Sequence, residues 1–150
     1  MQASIARICT SFIDIPGKIS IAIFFAGCSI RCKGCQNKEL WERASVTIMS
    51  LDNVLQKIDT HPLADSIVFL GGEPTDQCTF LEQLCIKSVS KYKALYTGRE
   101  FEALPTSLID HLDMIVCGPY VQELSTNTWP ASSNQRILKR ENNLWIPHNT

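Results

Sequence analysis

Ser20-Ile21-Ala22-Ile23-Phe24-Phe25-Ala26-Gly27-Cys28-Ser29-Ile30-Arg31-Cys32-Lys33-Gly34-Cys35-Gln36-Asn37 is the stretch that decides the fold. From Ser20 to Phe25 the apolar residues are continuous rather than alternating, the pattern of a strand buried on both faces. The strand runs straight into three cysteines spaced C-x3-C-x2-C. Working outward, Ser66–Leu70 is a second buried run, and it stops at Gly71-Gly72-Glu73-Pro74. Tyr92–Tyr96 is a third, broken by Thr97-Gly98, and Asp113–Cys117 is a fourth, ending at Gly118-Pro119.

Helical segments fall between these strands. Val54, Leu55 and Ile58 share a helical face after an Asp52-containing start and before Pro62. Thr79–Lys91 is predicted helical with Phe80, Leu84, Cys85 and Val89 turned inward, and Glu100–Leu112 is predicted helical with Pro105 interrupting it. The tail reads as loop through Trp129-Pro130, then a hairpin from Arg136–Lys139 and Leu144–Ile146. Strand and helix in alternation predict an α/β fold, a parallel sheet with helical crossovers. Such sheets place ligands beyond the carboxyl ends of their strands, which is where the unusual residues sit. A full eight-unit barrel takes about 250 residues, so this chain of 150 residues is expected to form a partial (β/α) barrel or an open sheet, as one domain over residues 1–150.

Composition narrows the function. Hydrophobic residues make up 45% and charged residues 19%, a globular balance. Fourteen basic against fifteen acidic side chains give a net charge of −1, so no electrostatic case arises for nucleic acid or an anionic membrane. The start lacks the features of a secretory signal, and the longest apolar run, Ile21–Ala26, is too short to cross a bilayer. Seven cysteines, three of them crowded into eight residues, argue against a disulfide scaffold and for a reducing cytoplasm.

Iron–sulfur clusters of the four-iron type usually take four thiolates. Three would leave one iron open to a substrate or cofactor. The alternative is zinc, which prefers tetrahedral sets completed by histidine; His61, His111 and His148 form no H-x3–5-H pair, although folding could bring one near. Arg31, Lys33, Gln36 and Asn37 suit a surface loop rather than a cysteine core. Cys9, Cys78, Cys85 and Cys117 read as small apolar residues.

The cysteine motif after a strand, with Gly-Gly-Glu-Pro after the next one, resembles the radical S-adenosylmethionine (SAM) superfamily. Gly27 through Trp41 is similar to the activating enzymes of glycyl-radical proteins. Cys117-Gly118-Pro119-Tyr120-Val121-Gln122-Glu123-Leu124 and Trp129 to Arg136, with Ser132-Ser133-Asn134-Gln135-Arg136, resemble the activating proteins of anaerobic ribonucleotide reductases. The resemblance implies a [4Fe-4S] cluster on Cys28, Cys32 and Cys35, with SAM on the open iron. It also implies SAM-binding roles for Gly71, Gly72 and Glu73, with Glu73 facing the amino group, and for Gly34 and Gln36 around the third cysteine. One electron would cleave SAM, and the 5′-deoxyadenosyl radical would take hydrogen from a glycine of the reductase's catalytic subunit. No catalytic side chain is expected beyond cluster and SAM, and the electron donor is expected to be flavodoxin-like. Activation of another glycyl-radical enzyme, small-molecule radical SAM chemistry and a zinc-stabilised binding module are the alternatives.

The chain departs from that pattern in three places. The resemblance also makes Cys117 a candidate at the SAM-binding edge, where relatives carry an aspartate, although a thiol there cannot supply the same charged acceptor. Pro16-Gly17-Lys18 has lysine in place of arginine, keeping charge but losing the bidentate fork. Glu73 replaces the aspartate common in the reductase activators. From composition alone, Ser132–Arg136 is a solvated loop; the resemblance makes it a wall of the site or a docking element.

Overall fold

A computed structural model describes residues 1–43 and 47–148. At its centre is the strand quoted above, Ser20–Phe25, with every residue buried. In chain order the strands are β1 (Gln2–Ser11), β2 (Ser20–Phe25), β3 (Thr47–Ser50), β4 (Ser66–Gly71), β5 (Tyr92–Tyr96), β6 (Met114–Cys117), β7 (Arg136–Glu141) and β8 (Leu144–Pro147). They form one sheet in the order β3-β1-β2-β4-β5-β6-β7-β8.

Parallel pairing joins β2, β4, β5 and β6. Either side of this block is antiparallel: β1 and β3 flank β2, and the hairpin β7–β8 flanks β6. The sheet is therefore mixed rather than parallel throughout, which corrects the expectation from sequence. The difference lies in β1 and β3, which the apolar pattern does not announce. In β1 the register shifts between Ile5 and Arg7, and this irregularity breaks the two-residue alternation that marks a strand. β3 is four residues long and half exposed.

Three helices make the crossovers: α1 (Leu51–Asp59), α2 (Cys78–Lys87) and α3 (Thr106–Ile109). Ser50 caps α1, its hydroxyl accepting the Asn53 N–H at 3.1 Å. The inward face of α2 is Phe80, Leu81, Leu84 and Cys85; the helix stops at Lys87, and Val89, expected inward, is 80% exposed. The helix expected over 100–112 is instead a 3-10 turn (Phe101–Ala103) and the short α3, because Pro105 sits between them without an N–H to donate.

Strand alternation sorts the core into two layers. Ile21, Ile23, Phe25, Ile67, Phe69 and Leu95 pack with the helices. Ala22, Phe24, Val68, Leu70, Met114 and Val116 face the other way, under Ile15 and Leu40. Covering on both faces is why the central strands read as unbroken apolar runs. The loops at the carboxyl ends of β2, β4, β5 and β6 meet on the second face.

Candidate active site

Those four loops enclose one cavity. Cys28, Cys32 and Cys35 line it from the end of β2, and Gly71, Gly72 and Glu73 from the end of β4. Tyr96, Thr97 and Gly98 line it from the end of β5, and Val116, Gly118 and Tyr120 from the end of β6. Gln36 and Gln135 complete the polar lining. Of the residues singled out from sequence, Gly34 and Cys117 do not reach it. Gly34, at φ +77°, lies beneath Gln122, whose side-chain carbon would come within 2.7 Å of any Cβ there. Cys117 is fully buried in the helix-side core, its Sγ directed at Arg136 O at 3.7 Å, and burial pushes its thiol pKa up. Val116 on one side of it and Gly118 on the other are the residues that face the cavity.

The glycine pair at the end of β4 has a backbone explanation. Gly72 N donates to Phe25 O at 2.8 Å and Glu73 N donates to Gly27 O at 2.9 Å, stitching the β4 turn to the start of the cysteine loop. A Cβ on Gly72 would lie 2.3 Å from Gly27 O, and one on Gly71, at φ +114°, 2.4 Å from Phe25 O. Only glycine lets the two chain segments touch.

Glu73 is 1% exposed, and its carboxylate gathers donors from two loops. Oε2 accepts the Thr75 N–H at 3.0 Å, the Thr75 hydroxyl at 2.5 Å and the Thr97 hydroxyl at 2.8 Å. Oε1 accepts the Gly98 N–H at 2.8 Å. The network continues outward. Arg99 donates from Nε to Thr75 Oγ1 at 2.8 Å and from NH2 to Asp76 Oδ1 at 2.6 Å. Asp76 in turn accepts the backbone N–H and the hydroxyl of Ser29, each at 2.8 Å. Thr97 was noted from sequence only as part of the loop after the third strand, and Thr75, Asp76 and Arg99 were not singled out. Each is a common polar residue, and the available signal was only adjacency to a glycine turn.

On the opposite side, the polar run after Trp129 forms a wall rather than a solvated loop. Ser132 is buried, and its hydroxyl accepts the Val121 N–H at 3.2 Å. Asn134 Nδ2 donates to Pro119 O at 2.8 Å, and Gln135 Nε2 donates to Gly118 O at 3.0 Å. These bonds hold residues 118–124 beside the cysteine loop.

The three cysteines are free thiols, half-buried on the cavity wall. Burial pushes the Cys32 thiol pKa up; the Tyr120 backbone amide opposes that, and the neighbouring Cys35 and Cys28 reinforce it. Asn37 N donates to Cys35 Sγ at 3.4 Å. Among the described residues no three His, Cys, Asp or Glu side chains converge on one ion position. A four-iron cluster asks for something else, since each thiolate binds its own iron, and three soft donors spread along one wall suit that. His61 is bonded to Lys57 O, His111 lines a groove at the other end of the sheet, and His148 lies beside Trp129. None of them lines the cavity.

Comparison with known proteins agrees with this geometry. Residues 15–138 match the family model described as a 4Fe-4S single cluster domain. The anaerobic ribonucleoside-triphosphate reductase-activating protein of Enterobacteria phage T4 is 23% identical over 145 residues, covering 89% of this chain and 92% of that one. The protein of the same name from Escherichia coli K12 is 27% identical over 130 residues, covering 77% and 84%. Among solved structures, QueE from Escherichia coli superimposes with a TM-score of 0.63 at 18% identity, over 81% of this chain and 61% of that one, a likeness of fold. The chain belongs to the 4Fe-4S single cluster domain family.

Proposed function

We propose that the chain cleaves S-adenosylmethionine reductively and uses the resulting 5′-deoxyadenosyl radical to install a glycyl radical on the catalytic subunit of an anaerobic ribonucleoside-triphosphate reductase. The observation that carries this reading is the meeting, in one cavity, of exactly three free cysteines with the Gly-Gly-Glu-Pro turn. Cys28, Cys32 and Cys35 would hold the cluster through three of its irons, and Glu73 would face the amino group of SAM beside it. When bound, the cluster would supply one electron to the sulfonium.

The chain's own residues do the positioning. The β4 turn offers the SAM ammonium an acceptor: Oε2 of Glu73 already receives three donors, whereas Oε1 receives one and keeps acceptor capacity. Gln36 and the backbone of Gly71 and Gly72 complete that end of the site. Leu70 and Val116 give the cavity part of its apolar lining. A sheet curved into a partial barrel around this cavity goes with the same reading. The partner follows from the two activating proteins of that name, which this chain matches over most of their length. A flavodoxin-like one-electron donor completes the proposal.

The test is anaerobic reconstitution with iron and sulfide, followed by electron paramagnetic resonance of the reduced protein with and without SAM. The expected results are a cluster signal that changes on SAM addition and, after mixing with reductase, a glycine-centred doublet. A signal indifferent to SAM overturns the chemistry. A SAM-sensitive cluster that yields no doublet with a reductase overturns the partner.

A further inference from the structure

We infer that Asp76 and Arg99 are positioning residues, a clasp that fixes the cysteine loop to the Gly-Gly-Glu-Pro turn so that the cluster and the SAM-binding edge keep one geometry. The inference rests on the cluster reading above but is carried by separate contacts. Three loops meet in it: Ser29 follows the first cysteine directly, Thr75 and Asp76 follow Glu73 by two and three residues, and Arg99 follows Gly98. Asp76 is the hub. Its Oδ2 accepts the Ser29 N–H, and its Oδ1 accepts both the Ser29 hydroxyl and the Arg99 guanidinium.

Arg99 spans the junction. Its NH2 reaches Ser29 Oγ at 3.1 Å as well as Asp76, while Nε reaches Thr75 Oγ1. Thr75 and Thr97 then pass the connection to Glu73, and Arg99 N donates to Thr97 Oγ1 at 3.1 Å, closing the ring. The other hydrogen bonds described for residues 30–37 are local, reach Glu42 and the short turn around Leu40, or come from the Tyr120 backbone amide to Cys32. The side chain of Asp76 is 15% exposed, and its bonds to the surface residue Ser29 are charge-assisted. A planar fork with several fixed donors suits this junction, whereas a lysine offers one point of charge.

Four full-length variants test the clasp: Arg99→Lys, Arg99→Met, Asp76→Asn and the double change Arg99→Met with Asp76→Asn. Two readouts are taken. In the unloaded protein, the rate of tryptic cleavage after Arg31 and Lys33 reports how firmly the loop is held. In the reconstituted protein, the SAM concentration that half-converts the electron paramagnetic resonance signal reports the edge geometry. Arg99→Met and Asp76→Asn are expected to raise both by about 10-fold or more, the fold-change that the loss of a hydrogen bond to a charged group corresponds to. Arg99→Lys is expected to resemble Arg99→Met, and the double variant to be no worse than either single change. Wild-type values for Arg99→Met, or full recovery in Arg99→Lys, overturn the clasp. The tryptic arm uses no cluster, so a chain that failed to respond to SAM would sink the proposed function while the clasp still stood or fell on loop cleavage.

Discussion

The two walls of the cavity are built by different means. The wall that carries the cysteine loop is held through carboxylates: Glu73 and Asp76 gather donors from three loops, with the Arg99–Asp76 ion pair at the junction. The facing wall, residues 118–124 backed by Ser132–Gln135, is held by neutral amides and one hydroxyl. Charge-assisted hydrogen bonds are roughly twice as strong as neutral ones. The cysteine wall is therefore the fixed reference of the site and the amide wall the softer cover.

The largest expected effect breaks the chemistry of the first wall and leaves the second intact. Cys32→Ala removes one of the three proposed iron ligands, and iron content and SAM cleavage should fall together to background while the far-ultraviolet circular dichroism is unchanged. Iron and sulfide analysis beside assay of 5′-deoxyadenosine checks it; full SAM cleavage by this variant means the motif is misread.

A glycine on each wall sharpens the contrast. Gly72→Ala forces a Cβ against Gly27 O at 2.3 Å, backbone on backbone, with no flexible atom to yield. Overpacking of that kind should cost about 3 kcal/mol in urea unfolding. Gly118, at φ +103°, has no neighbour nearer than 3.6 Å to a Cβ, so Gly118→Ala meets only backbone strain, about 1–2 kcal/mol. Equal losses at the two positions would remove the distinction between a wall locked by contact and one shaped by its own turn.

The walls also differ in how far the sequence discloses them. The central strands are legible because each is an unbroken apolar run stopped by glycine, proline or cysteine, and those stops are the cavity loops themselves. Cys28, Cys32, Cys35 and the turn at Gly71–Glu73 arrive at one place for that reason. The clasp is not legible, since Asp76 and Arg99 are ordinary polar residues 23 positions apart, brought together only by the crossover through α2. Cys117 misleads because it lies beside the edge residues in sequence; yet strand alternation turns its side chain with Ile115 toward the helices and leaves Val116 for the cavity. The polar run Ser132–Arg136 has a composition that suits solvent equally well, and only its bonds to residues 118–124 make it a wall. β1 escapes notice because of its irregular register, and β3 because it is short and half exposed.

The smallest effect tests the softer wall alone. Gln135 uses both ends of its amide, Nε2 donating to Gly118 O and Oε1 accepting the Ser132 N–H at 3.1 Å. Gln135→Ala deletes both bonds, but the side chain is half exposed and borders the cavity, so water can replace part of what is lost. A neutral hydrogen bond contributes about 1 kcal/mol net, and a loss near that size is expected in urea unfolding, with iron content held at the wild-type value. Hydrogen exchange separates the walls directly: amides of Gly118 and of residues 120–124 should exchange faster in the variant, while those of Ser29, Glu73 and Gly98 keep their wild-type protection. Loss of protection at Ser29 or Gly98 would mean the two walls move as one body, and the carboxylate network would then depend on the neutral brace rather than standing apart from it.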